Sequence, residues 1–402
     1  FKFGIERTLS EQTGSADAPL FSAVKSISTP DDFTIVFNLS YADDNFLYAL
    51  TNPGAMPCDE EFFNLTNGKY GLDAKYLLCN GPFHVSKWTE KTSVKLAKNN
   101  EYNGESSVSP SSVTFYINND DSEVADKMNS VTYDVAFLSS SQFSSIENKK
   151  DLNSVAVQNV TYSFIFNQND NNYRNKNMRL AFCRSCDTSS LFDSQSDISK
   201  ADGIVPPSCK IGGEDYRNGN AAELLSYDET LAKKNFNDAL LDLGSSSVET
   251  TILCTEQYEP FVKQMVQKLQ KTLGVKFVST VKVVSESDLE AAVNDGNYSV
   301  AFYPFKAKSS FAGEIIEGFD QNNIFGYESD VLSQKIRNIK NNSGSLEGER
   351  SAVADAENYL VSEAVIMPVF YENSYFVTSK KTSGIYFYSS ADNVCFINAK
   401  KS

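Results

Sequence analysis

The sequence predicts a mixed α/β protein of two or more lobes. The chain has 402 residues, more than one hydrophobic core usually serves. Its composition, 41% hydrophobic and 22% charged, is that of an ordinary globular protein. From Ser226 onward, short apolar runs alternate with segments of helical period, the pattern of successive strand–helix–strand units.

Taken in order, Phe1–Arg7 reads as the inside of a helix. Phe33, Ile35, Phe37 and Leu39 alternate with Thr34, Val36 and Asn38, which predicts a strand with one apolar face. Asn80-Gly81-Pro82 is punctuation, because Gly permits positive φ and Pro restricts its predecessor. Phe83–Trp88 and Ser93–Lys98 then form a hairpin about the turn Thr89–Thr92. A strand at Val113–Ile117, a helix at Asp121–Ser130, a strand at Tyr133–Phe137 and a helix at Ser139–Ile146 follow. Thr161–Asn167 is a strand, and a helix runs from Met178 to Cys186. Asp228–Leu243 is helical, with Gly244 as its C-cap candidate. Thr250–Cys254 is a strand, Tyr258–Leu273 an amphipathic helix ending at Gly274, and Val275–Val278 a strand. Ser285 with Asp288 predicts a capping box. The strand Tyr298–Tyr303, helices at Val331–Ile339 and Glu347–Ser362, and the strand Ala364–Tyr371 complete the pattern.

The net charge of −16 argues against a nucleic-acid partner, since phosphate binding needs clustered Lys and Arg. No run reaches the roughly 18 apolar residues that span a bilayer. Catalytic chemistry has little to draw on. The single His, His84, lies in the predicted hairpin, and a Ser/His/Asp or Cys/His arrangement would have to use it. Ile211-Gly212-Gly213-Glu214 is too short for a phosphate loop. Cys183 and Cys186 form a Cys-x-x-Cys, but no second pair of comparable spacing completes a zinc site. The motif ends a helix rather than opening one, so two thiols one turn apart are expected there.

The order of these pieces resembles the family 5 extracellular solute-binding proteins, which serve the oligopeptide, dipeptide and nickel ABC importers. The resemblance rests on Asn80-Gly81-Pro82-Phe83 followed by Trp88 and Asn99-Asn100-Glu101-Tyr102, and on the strand Asp32–Leu39 before Phe46–Leu50. Arg179 and Ala181 in the helix after Asn167, Ile204–Pro207, and the closing Pro368-Val369-Phe370-Tyr371 extend it along the chain. It implies a periplasmic-binding-protein-like class II architecture, with two main lobes, hinge-crossing strands and a smaller extra subdomain. The implied partition is 1–81 in the extra subdomain, 82–192 with 375–402 in the first lobe, and 193–374 in the second. It also implies that upstream residues belonging to the first lobe are missing, and with them any export signal or lipid anchor.

The function implied is capture of a short peptide or related small solute by hinge closure, without catalysis, cofactor or metal. The protein would be an extracytoplasmic monomer, touching the membrane only through an anchor outside this sequence and delivering to ABC permease subunits. A peptide-sensing receptor of the same fold, or a hydrolase, remains open. By the resemblance, ligand-binding positions are Asn167, the loop Tyr303, Phe305, Lys306 and Lys308, and Phe370, Tyr371 and Glu372. Plainer roles are open too: Asn167 as a turn cap, the lysines as solvated charges, Phe370 as core. Peptide-binding members carry Trp and Asp where Phe305 and Lys308 stand. A Lys does not pair with an ammonium, so either the ligand presents an anion there or its amino end is held elsewhere, with Glu372 as a candidate acid.

Overall fold

The computed structural model of the chain describes residues 1–41, 46–117, 121–188, 192, 197–307, 310–320, 323–342, 344–388 and 393–402. It contains two compact units. One comprises Phe1–Asp134, Ser379–Tyr386 and Val394–Ser402, the other Val135–Thr378 and Phe387–Asn393. The partition expected from sequence places boundaries after 81 and 192, inside these units. Pairing accounts for the difference. Asn99 Nδ2 donates to Gly81 O (2.9 Å), tying the hairpin to what precedes it. The strand Val135–Ser139 lies against Ser374–Thr378, and so joins the second unit.

In the first unit, α1 (Lys2–Leu9) buries Ile5 with Phe21, Phe46 and Ala55. Strands β1 (Val24–Asp31) and β2 (Thr34–Leu39) pair antiparallel. Ile35, Phe37 and Leu39 are the half-buried face, as their alternation predicts. Phe33 is not part of that face. Asp31 Oδ1 accepts from Phe33 N (2.9 Å), and the resulting turn leaves the ring 99% exposed. Helices α2 (Phe46–Ala49) and α3 (Glu60–Leu65) follow, the latter capped by Asp59. Strands β3 (Phe83–Thr89), β4 (Ser93–Lys98) and β5 (Ser112–Tyr116) form a sheet in that order, with Trp88 opposite Val94. The hairpin turn contains Lys91 at φ +56. Helix α4 (Asp121–Asn129) ends the leading part of this unit.

The second unit is built on one sheet. Its early elements are β6 (Val135–Ser139), α5 (Ser140–Ser145), β7 (Leu152–Phe166), α6 (Asn171–Arg174) and α7 (Lys176–Ser185). The short strands β8 (Ile198–Lys200), β9 (Lys210–Ile211) and β10 (Glu214–Asp215) come next. Then α8 (Glu229–Leu243), β11 (Val248–Thr255), α9 (Glu259–Leu273), β12 (Phe277–Val284), α10 (Glu286–Asn294) and β13 (Val300–Lys306) alternate. Helices α11 (Gly313–Glu317), α12 (Asp330–Asn341) and α13 (Leu346–Ser362) precede the long strand β14 (Ile366–Ser379). The sheet order is β12-β11-β13-β7-β14-β6, with β8 added on β14. Successive residues of a strand point to opposite faces, which separates two cores. Phe164, Phe166, Phe302 and Phe370 face α7, α8 and α9; Ile165, Leu253 and Ala301 face α10 to α13.

Local chemistry places these helices. Asp228 caps α8 by accepting from Leu231 N (2.9 Å), and Gly244 at φ +62 closes it. Ser285 Oγ accepts from Asp288 N (3.1 Å), opening α10 where the capping residues predict. Arg179 in α7 is buried, and its guanidinium donates to four carbonyls: Tyr173, Arg174, Glu363 and Ala364. Burial lowers its pKa, opposed by the nearby Tyr327, Cys183 and Glu363. This residue locks the start of α7 to the chain leaving α13. All seven cysteines are free, and Cys183 and Cys186 are buried. Burial pushes the Cys183 thiol up to about 12, so it is inert as a nucleophile.

Candidate ligand-binding site

Strands β11, β12 and β13 are parallel, so Thr255, Val284 and Lys306 end at one edge of the sheet. In open α/β sheets this carboxyl edge is where ligands bind. Strand β7 runs antiparallel to β13 and brings Tyr162 opposite Pro304 and Val160 opposite Lys306. The carboxyl half of β14 reaches the same edge: Gln158 Nε2 on β7 donates to Asn373 Oδ1 (2.6 Å) and to Ser199 Oγ (2.8 Å).

Glu372 is the chemical centre of this edge. Its carboxylate accepts from the Tyr258 hydroxyl, which itself accepts from Gln257 Nε2 (3.1 Å). Burial lifts the Glu372 carboxyl above the usual carboxylate range. Hydrogen bonds from Tyr258 and Gln257 act the other way, the charge of Glu286 adds to the rise, and Lys306 opposes it. Tyr162 packs on Tyr258 with ring centroids 4.4 Å apart. Burial drives both phenols up, and the Glu372 charge adds to the rise, so both stay neutral donors. Phe302 and Phe370 support the two tyrosines from below, at centroid distances of 5.4 and 5.1 Å from Tyr162.

The expected site residues divide into two groups. Lys306 is exposed at the end of β13, Tyr303 and Phe305 are half-buried beside it, and Glu372 is half-buried on β14. Phe305 stacks on Phe319 at 5.7 Å, so one ring face belongs to the core. Asn167, Phe370 and Tyr371 are buried, and the polar groups of Asn167 and Tyr371 bond within the chain. Asn167 Nδ2 donates to Gly296 O and Tyr298 O (both 2.8 Å), and its Oδ1 accepts from Asn169 N (3.0 Å). It is a clamp on the turn before β13, with its hydrogen-bonding capacity taken up by its own chain. Phe370 is 0% exposed. The Tyr371 hydroxyl accepts from Asp202 N (3.0 Å) beneath the 203–217 loop. Lys308 lies outside the described residues.

Tyr258, Gln257, Tyr162 and Glu286 were not foreseen from sequence. Three of the four, Gln257, Tyr258 and Glu286, follow within three residues on a parallel strand that ends at this edge, and that position was the available signal. A separate cavity of 360 Å³ opens in the same unit, lined by Cys183, Lys200, Tyr227, Val361 and Met367 among others, and Glu372 does not line it. Among the described residues, no three His, Cys, Asp or Glu side chains converge to hold a metal, and no helix is long and apolar enough to cross a membrane.

The family model for bacterial extracellular solute-binding proteins, family 5, matches residues 1–325. The dipeptide-binding protein DppE of Bacillus subtilis (strain 168) is 23% identical over 367 residues, 89% of this chain and 67% of its own length. Listeria monocytogenes OppA bound to peptide superposes with a TM-score of 0.78 at 20% identity, covering 100% of this chain and 82% of that one. A dipeptide-binding protein from Pseudoalteromonas sp. SM9913 in complex with Met-Leu gives 0.79 at 16% identity, with the same coverage of 100% and 82%.

Proposed function

The chain belongs to the bacterial extracellular solute-binding proteins, family 5, and on that premise we propose that it captures short peptides for an ABC importer, without catalysis. The observation that carries this reading is the edge at Glu372. Charges of both signs, two neutral phenols and an amide meet there above an aromatic floor, at the carboxyl ends of parallel strands. Such a mixture suits a short zwitterion with apolar side chains better than an apolar molecule or a bare ion. The peptides in the OppA and Pseudoalteromonas structures support it.

In this reading Tyr303, Phe305, Lys306 and Glu372 face the ligand, and Asn167, Phe370 and Tyr371 hold the surface in shape. The protein works outside the cytoplasm as a monomer, anchored or free, and hands its ligand to permease subunits. The test is calorimetric titration of the purified protein with di- to pentapeptides and with single amino acids. Saturable one-to-one binding of peptides is expected, with a rise in melting temperature. At a free concentration a hundred times Kd the stabilisation is about 2.7 kcal/mol. Binding of amino acids alone, or of no peptide, contradicts the reading.

A further inference from the structure

The 360 Å³ cavity of the second unit is rich in sulfur. Cys183 and Cys186 at the end of α7 and Met367 at the start of β14 all line it, with Lys200 and Tyr227 among its polar residues. The three are 2%, 4% and 9% exposed, so none is a surface sulfur that collects metal adventitiously, and both thiols are free. The fold fixes their relation. Arg179 Nε donates to Ala364 O (3.0 Å), locking α7 to the chain that enters β14. Cys183 follows Arg179 by one helical turn on the same face, and Met367 follows Ala364 closely along the chain. Cys186 is the residue at which α7 ends. We infer that this cavity is a binding site for a soft monovalent cation of the Cu(I) class, held by Cys183, Cys186 and Met367.

The donor set decides the kind of ion. Thiolate and thioether sulfur select Cu(I) over harder cations. Structural zinc takes four Cys or His ligands, whereas a soft monovalent ion is satisfied by two or three sulfurs. Among the described residues no third His, Cys, Asp or Glu joins the two thiols, so the third donor is the Met367 thioether, whose unbranched side chain turns to fit. On binding, two S–H bonds break, two Cu–S bonds form, both protons leave for water, and no electron is transferred. Two thiolates and one monovalent cation sum to a single negative charge. Basic residues offset it: Arg179 and Arg184 act on Cys183, Lys268 acts on Cys186, and Lys200 lines the cavity. Lys268 is held nearby by donating to Asp187 O (2.6 Å). The carbonyl end of α7 adds its own attraction for a cation.

Glu372 does not line the cavity, so this site stands or falls apart from peptide capture. The test is anaerobic titration of the whole chain with Cu(I) in competition with the chelator bicinchoninate. The native protein and a Cys79→Ser/Cys395→Ser variant, which lacks the two half-buried thiols, are both expected to take one Cu(I) per chain, with a thiolate-to-metal charge-transfer band. Cys183→Ser/Cys186→Ser weakens uptake about a hundredfold or more. Met367→Leu weakens it about tenfold. That exchange conserves volume and leaves the metal-free protein folded, so the assignment stays testable if the double serine variant does not fold. Excess Zn²⁺ leaves the bound Cu(I) in place. No uptake by the native protein, uptake that survives Cys183→Ser/Cys186→Ser, unchanged affinity in Met367→Leu, or displacement by Zn²⁺ overturns the assignment.

Discussion

Replacing Glu357 by Ala is expected to cost about 3–5 kcal/mol, because it leaves a buried guanidinium unpaired. Glu357 is 1% exposed, and all its partners come from the 203–217 segment. Arg217 donates to it through both terminal nitrogens, Tyr216 through its hydroxyl (3.0 Å), and Val205 through its backbone N–H (3.0 Å). Arg217 Nε in turn donates to Val205 O (2.7 Å). The segment passes so close that a Cβ on Gly203 would collide with both charged groups. One side chain on α13 therefore fixes the loop that supplies Asp202 N to Tyr371. Urea unfolding of Glu357→Ala would show the midpoint falling at constant slope. The double variant Arg217→Met/Glu357→Leu should recover most of the loss, since an apolar pair does without the desolvation that the ion pair must offset. A Glu357→Ala protein as stable as the native one contradicts this account.

Truncating Phe302 to Ala is expected to cost a similar amount, about 3–5 kcal/mol, and to weaken ligand binding as well. Its ring is 1% exposed and lies 4.9 Å from Phe164, 5.5 Å from Phe370, 5.8 Å from Phe261 and 5.8 Å from Tyr258 between centroids. It lies directly beneath the tyrosines that meet Glu372. A cavity there frees Tyr258 to move, so the Glu372 carboxyl loses its orienting partner. Phe302→Leu keeps most of the volume and should cost about 1–2 kcal/mol, mainly lost methylene and ring contacts. Melting temperature and trialanine affinity should fall together across the two variants. Loss of stability without loss of affinity would mean that the aromatic floor does not position the site.

Much of the fold was legible because local chemistry and tertiary packing agree in it. The hairpin at Phe83–Lys98, the caps at Asp228 and Ser285 and the C-cap Gly244 stand where the residues predict them. The strand ending at Phe166 begins nine residues before the predicted Thr161, at Leu152. Its leading half is mostly exposed, so no apolar alternation marks it. Phe33 misled for the opposite reason, since its alternation is right but a turn at Asp31 intervenes. The site was legible only in part. Lys306 and Glu372 were named, but Tyr258 meets Glu372 from 114 residues away in the chain, Tyr162 packs on Tyr258 from β7, and only the sheet order joins them. Phe370 and Tyr371 were named through the same resemblance as Glu372, but Tyr371 points to the opposite face of the strand, and Phe370, on the face of Glu372, is buried against Tyr162 and Tyr258.

The central claim is that this chain carries peptides, and the most direct measurement is native mass spectrometry of the protein as purified, compared with its denatured mass. The account predicts a heterogeneous excess mass that sequencing resolves into short peptides. A single discrete solute or a metal in their place would contradict it.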